Sequence, residues 1–222
     1  MHSVRLVGIT NPIGIGDKTP EGAIAYMARV SNPANQDNSE GTDKLIRYLI
    51  RNEHWSPFEM IHMVVEIKST RDISRQILRH RSFAFQEFSQ RYAKVTDFVK
   101  REARYQDPKN RQNSVEISGL TLTEQNLIEK WKWKQDAVLR ECEDAYAWAL
   151  ENNIAKEQAR AVLPEGLTLS TLYMAGSLRS FIHYCQLRME NGTQKEHALI
   201  AKDIWKIVDE NFPNVVKALE KQ

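Results

Sequence analysis

The sequence predicts an α+β fold: one domain over residues 1–222, with a small, mainly antiparallel sheet packed against several helices, including one long helix. Three observations carry this. Strand-like runs are few and short, and helical patterns separate them. Residues 123 to 152 form one stretch with neither Gly nor Pro, the mark of a long helix. The Gly-x-Gly at Gly14-Ile15-Gly16 lacks a third glycine at the dinucleotide spacing, which argues against a doubly wound fold.

Ser3 to Ile9 alternates and predicts a first strand. Asn11 to Asp17 is rich in turn residues. Pro20 to Val30 predicts a helix, with Thr19 as its cap and proline in its first turn. Thr42 to Asn52 predicts a second, with Leu45, Tyr48 and Leu49 on one side. The run Met63-Val64-Val65-Glu66-Ile67 predicts a strand over His62 to Lys68, and a helix follows from Arg71 to Leu78. Residues 101 to 119 are polar and predict a long loop. The long helix, Thr123 to Asn152, has Thr123 as cap candidate and an apolar stripe through Leu127, Trp131, Val138, Cys142, Tyr146 and Leu150. Trp131 and Trp133 fit core or subunit-interface positions better than ligand contacts. Leu163-Pro164-Glu165-Gly166 breaks the chain. Thr168 to Tyr173 predicts a strand, and Ser177 to Met189 and Lys195 to Asn211 predict helices.

Composition narrows the function. Hydrophobic content of 41% and charged content of 27% fit a soluble globular protein long enough to bury a core. No apolar run approaches the roughly 20 residues that span a bilayer. The segment Met1 to Leu6 has no long apolar region of the secretory kind. Cys142 and Cys185 build no disulfide framework, and a reducing cytoplasm fits. The six histidines form no His-x-x-x-His pair, so no metal site is expected.

The chemistry concentrates between Arg79 and Tyr92, which holds Arg79, His80, Arg81, Glu87, Ser89 and Arg91. Arginine forks match phosphate and carbonyl oxygens. In an extended segment Ser89 and Arg91 share a face and could hold a phosphate. Upstream, Arg71, Arg75 and Arg79 recur every four residues as a basic stripe. From Arg71 to Arg104 nine basic residues (71, 75, 79, 81, 91, 94, 100, 101, 104) face four acidic ones (72, 87, 97, 102), while the whole chain carries only +2. A charge run is commonly a solvated face. Phe83, Phe85, Phe88 and Tyr92 lie within this one, and a solvated face has no use for them.

Arg79-His80-Arg81, seven residues, then Ser89 resembles the signature of the flavin-dependent thymidylate synthases. Four more segments match in order: His54-Trp55-Ser56-Pro57-Phe58-Glu59, Arg75-Gln76, Arg160-Ala161-Val162-Leu163-Pro164, and Ser177-Leu178-Arg179-Ser180-Phe181 leading to Leu187-Arg188. The chain has Ala84, Gln86, Ser177 and His183 where the family often has Ser, Asn, Asn and Asn, and these bear on flavin contacts more than on nucleotide contacts. Glu190 to Glu196 is longer than usual.

The resemblance implies methylation of dUMP to dTMP, with methylenetetrahydrofolate as carbon donor and NADPH-reduced FAD as hydride source. It implies that Arg188 activates the uracil. It assigns Gln76, Arg79, Glu87, Ser89, Gln90, Arg91 and Arg160 to dUMP, together with Arg188, and Arg75 less directly. It assigns Ser56, Arg79, His80, Arg81, Glu87, Ser177, Arg179 and His183 to FAD, with His54 in the flavin or folate region. It also implies a homotetramer with sites at subunit junctions.

Helical geometry adds an expectation. Ser177 and Arg188 are eleven apart and align, whereas Arg179 and His183 lie on a nearly opposite face. One helix would then serve nucleotide on one side and flavin on the other. Cys185 sits three residues before Arg188 and is weighed as a nucleophile, but its apolar neighbours favour a buried thiol. Ser89 has no adjacent base in the sequence and reads as a phosphate ligand. Two other readings stay open: a nucleic-acid-binding module using the 71–104 patch, and a flavin-binding protein without methyl transfer.

Overall fold

The computed structural model describes residues 2–17 and 19–220. Its main sheet has the order β1-β2-β6-β3, from β1 (Ser3–Ile9), β2 (His62–Thr70), β6 (Leu169–Ser177) and β3 (Ala84–Glu87). Every neighbouring pair is antiparallel, as the sequence predicts. Strands β2 and β6 pair without interruption from His62↔Ser177 to Thr70↔Leu169. On β2, Met63, Val65 and Ile67 are fully buried; on β6, Leu172 and Met174 are. Period-two alternation turns these side chains to one face. The helices α1 (Pro20–Ala28), α2 (Thr42–Arg51), α4 (Arg71–Ile77), α7 (Leu178–Met189), α8 (Lys195–Asn211) and α9 (Pro213–Leu219) share that core.

The other face of the sheet is polar. Arg5, Glu66 and Tyr173 lie in one cross-strand row. Arg5 grips Glu66 with two hydrogen bonds of 2.8 and 2.9 Å, and the Tyr173 hydroxyl donates a third at 2.8 Å. Arg5 and then Tyr173 hold the Glu66 carboxyl down at about 2.

Two junctions have no loop. β2 ends at Thr70 and α4 begins at Arg71; β6 ends at Ser177 and α7 begins at Leu178. Ser177 caps α7, its hydroxyl accepting the Ser180 N–H at 3.3 Å. Thr19 caps α1 in the same way, at 2.9 Å from the Gly22 N–H. Short helices α3 (Ser56–Glu59) and α6 (Lys156–Ala159) complete the site-bearing elements.

Several expectations are corrected. The polar segment 101–119 carries a hairpin, β4 (Arg104–Gln106) with β5 (Ser114–Glu116), whose strands are too short and polar to show a period. The long helix α5 runs Leu122–Glu151, and its cap is Thr121, in a reciprocal capping box with Glu124. Half of its predicted stripe is open, at Leu127, Trp131 (42% exposed) and Val138, and Trp133 and Trp148, outside the stripe, are 56% and 60% exposed. Only Gln135, Tyr146 and Ala149 of α5 are buried. Trp131 is therefore not core; its indole N–H and the Gln135 amide both donate to the Arg101 carbonyl at 3.0 Å.

Two outcomes are expected. Gly176 faces the Phe83 ring, and a Cβ there would stand 2.5 Å from it. Gly176→Ala should cost about 1–3 kcal/mol in denaturant unfolding. An unchanged midpoint would show that Phe83 moves freely. Glu66 has its pKa lowered in the fold, so its contribution is full above its ordinary value, about 4.5, and is lost as pH falls toward 2. Between pH 5 and pH 3 the native chain should therefore lose more stability than Glu66→Gln. Parallel pH profiles would refute this.

Candidate active site

The Arg79-His80-Arg81 segment follows α4 directly. The His80 N–H closes on the Ile77 carbonyl at 3.0 Å, and Phe83 returns to His80 at 3.3 Å before β3 begins. This turn faces α7: the Ser180 hydroxyl reaches the Ser82 carbonyl at 3.4 Å, and Phe83 stacks edge-on against Phe181. Arg79 and Arg81 stay exposed.

Four groups of side chains surround the turn. In the first, Arg188 Nε donates to His80 Nε2 at 2.9 Å. An arginine N–H can only donate, so that nitrogen of His80 carries a lone pair. Burial, then the Arg188 and Arg79 cations, push His80 down to about 4 and keep it neutral. His80 also lies edge-on to Tyr184, with centroids 4.8 Å apart. Tyr184 bonds His197 at 2.9 Å, His197 meets Gln76 at 3.3 Å, and Gln76 donates to Gln194 at 2.8 Å.

The second group lies at the start of α7. Ser177 donates to Glu59 at 2.6 Å and Arg179 donates to its other oxygen at 2.7 Å. Ser177's hydroxyl, against the cost of burial and then helped by Arg179, holds Glu59 below the ordinary carboxylate range. His183 stands edge-on to Trp55, centroids 4.8 Å apart, and burial and then Arg179 lower its pKa. Ser56 opens α3 on the exposed side of the same corner. His54 is exposed, edge-on to Tyr48 at 5.9 Å.

The expected division of α7 into two faces is thereby corrected. Ser177 is the cap, outside the helical repeat, and meets Arg179 on one carboxylate. The division runs end to end: Ser177, Arg179 and His183 gather near the N-terminus, and Arg188 works with His80 near the other end. Ser177 and Arg188, eleven residues apart, are separated by roughly 16 Å along the helix, with His183 between them.

The third group centres on the buried Arg71 and reaches the surface at Arg75 and Glu165. Arg71 lies 3.5 Å from Glu87 and 3.6 Å from Glu165, and Ser170 donates to Glu87 at 3.0 Å. Arg75 holds Glu165 with two hydrogen bonds of 3.1 and 3.3 Å. Arg71 and Arg75 thus spend their charge inside the chain, which corrects the free basic stripe.

The fourth group is a turn. Ser89 and Arg91 do not lie on an extended face: Tyr92 and Ala93 both donate to the Ser89 carbonyl at 3.2 Å, and Arg91 N–H reaches Ser89 Oγ at 3.3 Å. The turn abuts α6, where Arg91 pairs with Glu157 at 3.1 Å and Arg160 Nε donates to the Glu157 carbonyl at 3.3 Å. Gln90 is buried, and its amide nitrogen has no partner among the described residues.

Sequence reasoning missed Glu59, Trp55, Tyr184, Gln194 and His197 as parts of this arrangement. Glu59 and Trp55 stood inside the quoted His54–Glu59 segment, which was a usable signal. The others reveal themselves only through contacts across α7 and α8. Cys185 is fully buried and burial pushes its thiol strongly up, which suits a packed side chain and not a nucleophile. Among the described residues no group of three or more His, Cys, Asp or Glu side chains is arranged to hold a metal, and no helix is long and apolar enough to cross a membrane.

Comparison with known proteins gives the family and the fold. The family described as "Thymidylate synthase complementing protein" matches residues 15–214. A "Flavin-dependent thymidylate synthase" of Synechocystis is 48% identical over 221 residues, covering 98% of this chain and 99% of the relative. A "Probable flavin-dependent thymidylate synthase" of Paramecium bursaria Chlorella virus 1 is 46% identical over 219 residues, with the same coverage. Among solved structures, the UMP/dUMP methylase PolB of Streptomyces cacaoi bound with 5-Br dUMP superposes with a TM-score of 0.82 at 25% identity, covering 100% of this chain and 95% of that one. With full-length relatives at this identity, a family profile over most of its length and the same fold, the chain belongs to the flavin-dependent thymidylate synthase family.

Proposed function

We propose that the turn after α4 and the two ends of α7 form the pocket in which this chain converts dUMP to dTMP. The function is reductive methylation at C5 of the uracil, and the chain is an enzyme of the thymidylate synthase type. When bound, FAD reduced by NADPH supplies the hydride, and methylenetetrahydrofolate supplies the carbon. The observation that carries the residue assignment is Arg188 held by a neutral His80. That bond uses Nε and leaves both terminal amino groups of the fork for a ligand. Uracil C5 becomes a nucleophile as negative charge gathers on the ring oxygens and N3, and the attack then draws that electron pair into the new bond. A fixed guanidinium stabilises that charge without losing a proton.

The donor set fits the remaining ligands. A flavin dinucleotide needs cations for its pyrophosphate and flat apolar groups beside its rings. Arg81 and Arg179, with Arg79, supply the first; Trp55 and His183, beside Ser56 and Ser177, supply the second. His54 sits at the same corner and suits the flavin or folate region. For dUMP, Gln76, Arg79, Glu87, Ser89, Gln90, Arg91, Arg160 and Arg188 offer a donor-rich lining. Arg91 would exchange Glu157 for the phosphate. We further propose a single domain over residues 1–222, working in the cytoplasm as a homotetramer with sites shared between subunits. Neither a membrane nor a nucleic-acid polymer is its partner. The open tryptophans of α5 support burial against another copy.

The direct test is tritium release from C5-labelled dUMP with FAD, NADPH and methylenetetrahydrofolate. Arg188→Lys should lower kcat about 100-fold or more at unchanged flavin content. Full activity in that variant would remove Arg188 from uracil activation.

Shared sites have their own test. Arg91→Ala and Arg188→Ala subunits, each inactive, should regain part of the turnover when dissociated and reassembled together. An active monomer in sedimentation at assay concentration would exclude the oligomer.

A further inference from the structure

Behind Arg188 runs a chain of side chains whose donors all point one way. It begins at Glu196, the second residue of α8. Arg104 donates to one oxygen of Glu196, and Arg101 lies 3.3 Å from the other. Against the cost of burial, its own backbone N–H and these two cations hold Glu196 below the ordinary carboxylate range. An ionised carboxylate only accepts. The Gln194 amide nitrogen donates to it at 3.0 Å, so the Gln194 carbonyl faces away, toward Gln76. Gln76 must then donate through Nε2, which turns Gln76 Oε1 to His197. His197 Nδ1 must carry the proton, its Nε2 must accept, and the Tyr184 hydroxyl must donate to it. Each assignment follows from the one before, back to a charge that cannot reverse.

We infer that His197, backed by Tyr184, is a positioning residue that together with Gln194 holds the Gln76 amide in the one orientation offered to dUMP. The inference rests on the reading of Gln76 as a dUMP ligand. One N–H and one lone pair of Gln76 remain after its bonds to Gln194 and His197, each on a known side. Inverting Gln76 would set its carbonyl against that of Gln194 and its N–H against His197 Nδ1–H. His197 closes the chain from the side that Gln194 does not control.

A buried histidine often only fills space. This one is fully buried, bonds through both ring nitrogens, and spends one bond on a residue of the proposed pocket. The groups facing it are Arg188, Arg79, His80 and Tyr184. Burial and then those cations push it down to about 3, so it stays neutral and keeps an acceptor at ordinary pH.

The test uses the full-length, flavin-loaded protein and measures steady-state kinetics in dUMP. His197→Leu should raise the dUMP KM about tenfold, the scale of one hydrogen bond's ordering, with kcat within about threefold. The KM for methylenetetrahydrofolate should not move. Tyr184→Phe, which keeps the ring, should shift the dUMP KM in the same direction by less. In a Gln76→Ala background, His197→Leu should add nothing, because its effect passes through Gln76. An unchanged dUMP KM in folded His197→Leu overturns the proposal, as does an equal rise in both backgrounds. If His197→Leu does not fold, Tyr184→Phe alone and in the Gln76→Ala background decides in the same way. If Gln76→Ala leaves dUMP binding unchanged, the assignment of Gln76 fails first and the proposal falls with it.

Discussion

The nine-residue antiparallel pairing of β2 with β6 is the constraint from which the site follows. Its register sets His62 opposite Ser177 at one end and Thr70 opposite Leu169 at the other. Because each strand passes into a helix without a loop, α7 starts at the first end and α4 at the second. The first end brings Ile61 to Leu178, whose N–H it accepts at 2.7 Å, and so carries Glu59 to Ser177 and Arg179. The second end brings Arg71 to Thr168, at 3.0 Å, and so carries it to Glu165 and Glu87. A slip of one residue would turn Glu66 and Tyr173 into the core and Met63 and Leu172 out of it. The hydrophobic pattern forbids that, so packing energy also fixes the geometry of the polar site.

The electrostatics are less one-sided than the linear charge count. Arg71 and Arg75 meet Glu165, Arg91 meets Glu157, Arg101 meets Asp72, and Arg101 and Arg104 both meet Glu196. Most of these carboxylates come from distant parts of the sequence, outside any window that counts local charge. Of the exposed cations in this stretch, Arg79 and Arg81 at the turn and Lys94 beyond it have no ion pair among the described residues. Two cations at one corner suit a small anionic ligand. They do not make the long positive track that a nucleic-acid strand requires; the family, not the charge pattern, decides against a binding module.

Legibility in the sequence follows the range of the determining interaction. Helix α8 ends where the pattern predicts, Lys195–Asn211, because its apolar face repeats regularly. The α1 cap is legible because Thr19 and Pro20 act within one turn. The α5 cap is displaced by two residues because Thr121 and Thr123 look equivalent until Glu124 is seen bonded to Thr121. The β4–β5 hairpin is held by backbone pairing of polar residues, which leaves no hydrophobic trace. For the site, the quoted motif segments do meet in the fold, but helical spacing misplaces Ser177, whose capping role takes it out of the repeat. The Tyr184–His197–Gln76 chain was illegible because its members lie on three elements and none has an unusual local setting.

Cys185 gives the molecule a hidden clock. Its thiol is fully enclosed in the core that α7, α8 and the sheet share, and burial keeps it protonated there. An alkylating reagent can therefore meet it only when α7 lifts from the core. The partly exposed Cys142 on α5 reports instead on the surface of the long helix. The ratio of the two labelling rates measures how often the helix bearing Arg188 comes loose, independently of any substrate.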